Sequence, residues 1–182
     1  MSNIQISLSE KNYADALVKL GQDDQISYND IYTNLLNIQE ILLSSNELAA
    51  VLENPVISID IKNSIIDEVL KKEINTKIID FFKIIIEKNR FKEFNGIVEA
   101  YSIELDKINN IKRVEIISAV ELNDETKKQI INRLENKFQK KIVPKWLKNE
   151  DIIAGLVIKV DDNIIDSSLK CKLDNLSKNL SV

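Results

Sequence analysis

The chain has 182 residues, 44% of them apolar and 30% charged, the balance of an ordinary globular protein of one or two domains. Its 25 basic and 29 acidic residues leave a net charge of −4, which argues against a nucleic-acid binder, because such proteins carry a basic excess that neutralises phosphates. With no histidine, one cysteine and three glycines, it lacks the commonest general base and metal ligand, any intrachain disulfide or cysteine-based zinc cluster, and room for a glycine-rich phosphate loop.

From Ser9 to Asn109 the pattern is helical. Tyr13, Ala16, Leu17 and Leu20 follow the i, i+3, i+4, i+7 spacing of one helix face, and Gly21 is the expected stop. Tyr28, Ile31, Tyr32, Leu35, Ile38, Leu42 and Leu43 form a second stripe, broken by Ser44-Ser45-Asn46 and followed by a short helix, Glu47 to Leu52. Asn54-Pro55 predicts a turn. Ser58 or Asp60 caps a helix bearing Ile61, Ile65, Ile66, Val69 and Leu70. After Asn75-Thr76 comes the stripe Ile78, Phe81, Phe82, Ile85 and Ile86. After Asn89-Arg90 comes a long helix with Phe94, Ile97, Val98, Tyr101 and Leu105. These segments predict a six-helix bundle over residues 1–109.

Near residue 110 the period changes to that of strands. Lys112 to Ala119 predicts a strand with Val114 and Ile116 on one face. Asn123 caps a helix whose first turn holds Asp124 and Glu125, with Ile130, Leu134 and Phe138 buried. Lys141 to Leu147 is a second strand, and Pro144 makes it an edge. Ile152 to Val160 is a third strand, Asp161-Asp162-Asn163 a turn, and Ile164-Ile165 a brief continuation. Asp166 or Ser167 then caps a final helix with Leu169, Leu173, Leu176 and Leu180 inward. The expected fold is mainly α: an N-terminal six-helix bundle, 1–109, followed by a β-α-β-β-α domain, 110–182. The longest apolar run, Ile152 to Ile158, is seven residues, far short of the 18 or so of a membrane-spanning helix. Met1 to Gln5 has no secretory signal character, so membrane association is expected only through partners.

The side chains that invite chemistry have ordinary explanations. Asp161 and Asp162 belong to turn chemistry. The pairs Lys71-Lys72 and Lys140-Lys141 sit where helix ends favour cations. Cys171, between Lys170 and Lys172, has no histidine or second cysteine to make it a catalytic nucleophile. Trp146 anchors a core or an interface. The Ile78–Ile86 segment is more informative, since Ile79 and Ile84 extend its apolar surface beyond one stripe, and Ala14 and Val18 extend that of the first helix. Such a helix is either central to the bundle or presents a second face to a partner's amphipathic helix. No catalytic, cofactor-binding or metal-binding set is expected.

The tail from Ile152 through Gly155 to Val160, then Ile164-Ile165-Asp166-Ser167-Ser168-Leu169, with Leu173 and Leu176, resembles the C-terminal signature of the delta subunit of F-type ATP synthases, whose mitochondrial relative is the oligomycin-sensitivity-conferring protein. Tyr13-Ala14-Asp15-Ala16-Leu17, Asn54-Pro55 with Lys62, Arg90-Phe91, Tyr101, Val114, Ser118-Ala119 and Leu122 extend the likeness along the chain. Ala154 and Ser167 stand where the family usually has glycines. The resemblance implies a non-catalytic stator subunit, without cofactor or metal, that links the top of the catalytic head to the peripheral stalk and so couples ion flow to ATP synthesis. It implies that a groove between the first and fifth helices, with Tyr13, Ala14, Leu17, Val18, Ile78, Ile79, Phe82 and Ile86, takes an N-terminal helix of an alpha subunit. It further implies that the C-terminal domain, carrying Gly155, Asp166 and Ser168, binds b-type stalk subunits, with no nucleic-acid partner. The expected location is the cytoplasmic face of the plasma membrane, or the thylakoid, as part of the complex. The competing reading of the same pattern is a generic helical adaptor or regulator unrelated to ATP synthase.

Overall fold

A computed structural model describes residues 6–23, 26–71, 73–160, 163–171 and 173. The chain divides into two compact units, Met1–Leu105 and Asp106–Val182.

Among the described residues the first unit has six α-helices: α1 (Leu8–Gln22), α2 (Tyr28–Ser44), α3 (Asn46–Glu53), α4 (Ile59–Leu70), α5 (Thr76–Glu87) and α6 (Phe94–Ile108), the last running past Leu105. Their starts follow local chemistry. Ser7, Ser27, Ser45 and Asn75 each accept a backbone N–H of the following turn, which satisfies donors that the helix leaves unpaired. At α1 the bond is reciprocated, with the Ser7 N–H donating to Glu10 Oε2 at 2.6 Å, a capping box. Ser58 occupies the cap position of α4 without a side-chain bond. The end of α5 is a Schellman motif: Asn89 is left-handed (φ 55), its N–H donates to the Ile86 carbonyl at 3.0 Å, and the Arg90 N–H donates to Ile85 at 2.9 Å.

The expected stop at Gly21 does not occur. α1 runs on to Gln22, and Gly21 is buried. A Cβ there would lie 2.6 Å from the Tyr28 ring, so this glycine serves close packing. The buried face of α1 is Ala14, Leu17 and Gly21, whereas Ala16 is exposed. One apolar core unites the unit, with Leu17, Ile31, Leu35, Ile66, Phe82 and Tyr101 among its members. Phe82 packs edge-on against Phe94 at 4.9 Å between ring centroids. The Tyr101 hydroxyl donates to the Tyr28 carbonyl at 3.0 Å, which satisfies a polar tip inside the core.

The described residues of the second unit form a four-stranded mixed sheet with a long helix on it and the start of a final one. Strands β1 (Ile111–Ser118), β2 (Lys141–Lys148), β3 (Leu156–Val160) and β4 (Asn163–Asp166) lie in the order β2-β1-β3-β4. β1 is parallel to β2, with Ile111 opposite Lys141, and antiparallel to β3, with Ile116 opposite Ile158. The helix α7 (Asp124–Phe138) makes the crossover that a parallel pair requires. Val114, Ile116, Leu134, Ile142 and Val160 form the core, with Ile130, Phe138 and Trp146 partly buried against it. β2 is an edge, as Pro144 requires.

Two expectations here need correction. The third strand starts at Leu156, because Glu150–Ile152 is a 3-10 turn capped by the Asn149 side chain and the next residues leave extended geometry. Ile153 has φ 67 and ψ −59, and the Ala154 N–H donates to the Ile152 carbonyl at 2.8 Å, a three-residue γ-turn. The Ile164-Ile165 stretch is a strand in its own right, pairing with β3 so that Ile158 faces Ile165, and the order is therefore β-α-β-β-β before the final helix. Asp161, Asp162, Lys72, Leu176 and Leu180 lie outside the described residues. The final helix is described only at residues 169–171 and 173. Leu169 (42% exposed) and Leu173 (49%) do not point inward.

Candidate partner-binding sites

The residues expected on the two faces of α1 and α5 separate into two groups. Ala14, Leu17, Ile78, Ile79, Phe82 and Ile86 are at most 2% exposed. They are core, and α5 is apolar nearly all round because it is central. Tyr13 and Val18 are only partly buried. Two further residues join them at the surface: Phe81, which belongs to the main stripe, is partly buried, and Ile84, which extends the apolar surface beyond that stripe, is 47% exposed. Phe81 and Ile84 are three residues apart, hence neighbours on one helix face. The Tyr13 and Phe81 rings meet edge to face, centroids 6.1 Å apart, so α1 and α5 present a shared aromatic edge. The signal that distinguishes these residues is depth, which spacing along one helix does not carry.

Polar groups fix this edge at one end. The Arg90 guanidinium donates to Ser9 Oγ and to Glu93 Oε1 at 3.0 Å, and Ser9 donates to Glu93 Oε2 at 2.7 Å. The bond from Ser9, with Arg90 beside it, holds the Glu93 carboxyl below the usual carboxylate range against the opposing effect of burial. Arg90 also lies 6.0 Å from the Tyr13 ring centroid.

In the second unit, the signature residues Gly155, Asp166 and Ser168 come together. Gly155 has φ +95, and a Cβ on it would lie 2.6 Å from the Ser167 carbonyl oxygen. Asp166 Oδ1 accepts the Ser168 N–H at 2.8 Å, and Ser168 Oγ accepts the Cys171 N–H at 3.1 Å. The cap of the final helix is therefore Ser168 rather than Asp166 or Ser167. The Ser168 hydroxyl and then its amide hold the Asp166 carboxyl below its ordinary range. This cluster joins the β3 start to the β4 end, and Ser168 is 2% exposed. Nearby in the same unit, Ser118, Val120, Leu122, Lys127, Trp146 and Lys148 line an open cavity of about 300 Å³. Among the described residues, no group of three or more His, Cys, Asp or Glu is placed to hold a metal, and no helix is long and apolar enough to cross a membrane.

The described residues thus form two separately cored units, one helical and one α+β, with an aromatic edge on the first. The model of the family "ATP synthase delta (OSCP) subunit" matches residues 10–180. The ATP synthase subunit delta of Chlorobium limicola is 34% identical over 94% of each chain, that of Chlorobaculum tepidum 29% over 96% of each, and that of Clostridioides difficile 26% over 97% of each. A chain of the Toxoplasma gondii mitochondrial ATP synthase hexamer superimposes with a TM-score of 0.64 at 16% identity, covering 97% of this chain and 98% of that one, a likeness of fold alone. The chain belongs to the ATP synthase delta (OSCP) subunit family. It is accordingly a structural stator subunit of ATP synthase and not a catalytic one, associated with the membrane as part of that complex. The unrelated-adaptor reading falls away.

Proposed function

We propose that this chain joins the top of the catalytic head to the peripheral stalk, resisting the torque of the rotor so that ion flow is coupled to ATP synthesis. The first unit takes N-terminal helices of alpha subunits along the α1–α5 edge, through Tyr13, Val18, Phe81 and Ile84, while Ala14, Leu17, Ile78, Ile79, Phe82 and Ile86 support that edge from beneath. The second unit takes b-type subunits of the stalk, with Gly155, Asp166 and Ser168 shaping its surface. The functional division falls at Asn109-Asn110, where α6 has ended and β1 begins. The complex sits on the cytoplasmic face of the plasma membrane or, in a photosynthetic cell, on the thylakoid.

The observation that carries this reading is the family match over residues 10–180, which spans both units. The Tyr13–Phe81 edge supports the assignment of the head site, because an amphipathic helix docks by burying one apolar face on another. A tagged copy recovered from its native host in mild detergent is expected to bring alpha, beta and b-type subunits in constant proportion. Recovery without any ATP synthase subunit overturns the reading. A full-length chain bearing Ile84→Asp is expected to lose alpha and beta while retaining b-type subunits.

A further inference from the structure

We propose that Arg90 is a positioning residue for head binding: it clamps the first turn of α1 to the α5–α6 link and so holds the Tyr13 ring against Phe81. The inference rests on the α1–α5 edge being the head site.

The backbone of Arg90 is pinned, since its N–H closes the Schellman motif on Ile85. A guanidinium on so fixed a base reaches out in a defined direction, and its planar fork satisfies several acceptors at once. It bonds Ser9 in the first turn of α1 and both oxygens of Glu93, at 3.0 and 3.1 Å, in the 3-10 turn Phe91–Glu93 that opens α6. Ser9 in turn donates to Glu93. Three separate segments are thereby tied at one point. Tyr13 lies one turn further along α1, with Arg90 on one side and the edge of Phe81 on another. The neighbouring Glu10 is engaged in the capping box, and Gly96 leaves room for its carboxylate, which a Cβ would meet at 2.0 Å. The α1 start is thus seated on α6 as well. The clamp itself is 40% exposed at Arg90 and 32% at Glu93, and ion pairs so placed contribute little to global stability. Its role is to set where Tyr13 stands.

The test titrates a synthetic peptide of the host's alpha-subunit N-terminal segment onto the full chain and follows thermal unfolding in parallel. Arg90→Gln is expected to weaken binding by about tenfold or more, the scale of one lost positioning contact, with the unfolding midpoint nearly unchanged. Arg90→Lys, which keeps the charge but not the fork, is expected to recover part of the affinity. Ser9→Ala should weaken binding in the same direction. Wild-type affinity in Arg90→Gln overturns the clamp, and so does a loss of affinity that merely tracks a loss of unfolding midpoint. Wild-type peptide binding in Ile84→Asp, or none in the unaltered chain, overturns the head-site reading itself and the clamp with it.

Discussion

At Gly155 two constraints coincide: a left-handed φ of +95 and the Ser167 carbonyl 2.6 Å from where a Cβ would stand. Gly155→Ala is therefore expected to destabilise the second unit by about 1–3 kcal/mol, the cost of holding a side chain in a sparsely populated conformation, read as a lower unfolding midpoint. Two residues earlier the reverse holds. Ile153 is a β-branched residue at φ 67 with its side chain 58% exposed, so it bears strain and gives little packing in return. Ile153→Gly is expected to raise the midpoint, since glycine adopts positive φ at no steric cost. Tyr101 illustrates how burial and titration connect. Desolvation pushes its phenol well above its ordinary value of 10, so the folded state keeps the proton that the unfolded chain gives up near that pH. The stability so contributed is complete below pH 10 and declines as pH rises towards the folded value. Urea unfolding of the wild type should show this alkaline decline, and Tyr101→Phe should flatten it while costing about 1 kcal/mol at neutral pH for the lost hydrogen bond to the Tyr28 carbonyl.

Among the elements, α5 shows how far a sequence pattern reaches. Its apolar spacing and excess of isoleucine announce a helix with more than one greasy face, and the helix is there from Thr76 to Glu87. What the pattern does not separate is a face turned to the chain's own core from a face turned to a partner, because both require the same residues. Ile79 and Phe82 were expected at the surface, yet at 2% and 1% exposure they are core. Phe82→Ala should thus cost about 3–5 kcal/mol of stability, and unfolding and head binding should fail together, whereas Ile84→Asp should separate them. The start of α7 was legible because an Asn cap is local chemistry, and so was the switch to strands near residue 110, whereas Ser7 and Ser168 were not singled out as caps. Gly21 misled because its reason for being glycine, the Tyr28 ring from α2, comes from a different helix. β4 was underread because four residues give too little alternation, and its ladder partner supplies the rest of its definition.

At the scale of the whole chain, each unit has its own apolar cluster, so calorimetry should resolve two transitions, with Phe82→Ala moving one and Gly155→Ala the other. The family itself was legible from scattered signature residues over the full length, whereas the clamp of Ser9, Arg90 and Glu93 joins positions 84 and 81 residues apart that nothing local pairs. The sheet order bears on what a stator endures. After α6 the first strand of the second unit is β1, an interior strand bonded to β2 along its whole length and to β3 from Glu115 to Ser118. Tension arriving along the backbone runs down the axis of that strand, across its ladders. Those bonds resist in shear and must yield together, whereas an edge strand such as β4, drawn aside, would open one rung at a time. The second unit should therefore be stiff and brittle under a pull from its N-terminal end, giving way at high force in a single step, and markedly softer when pulled from β4.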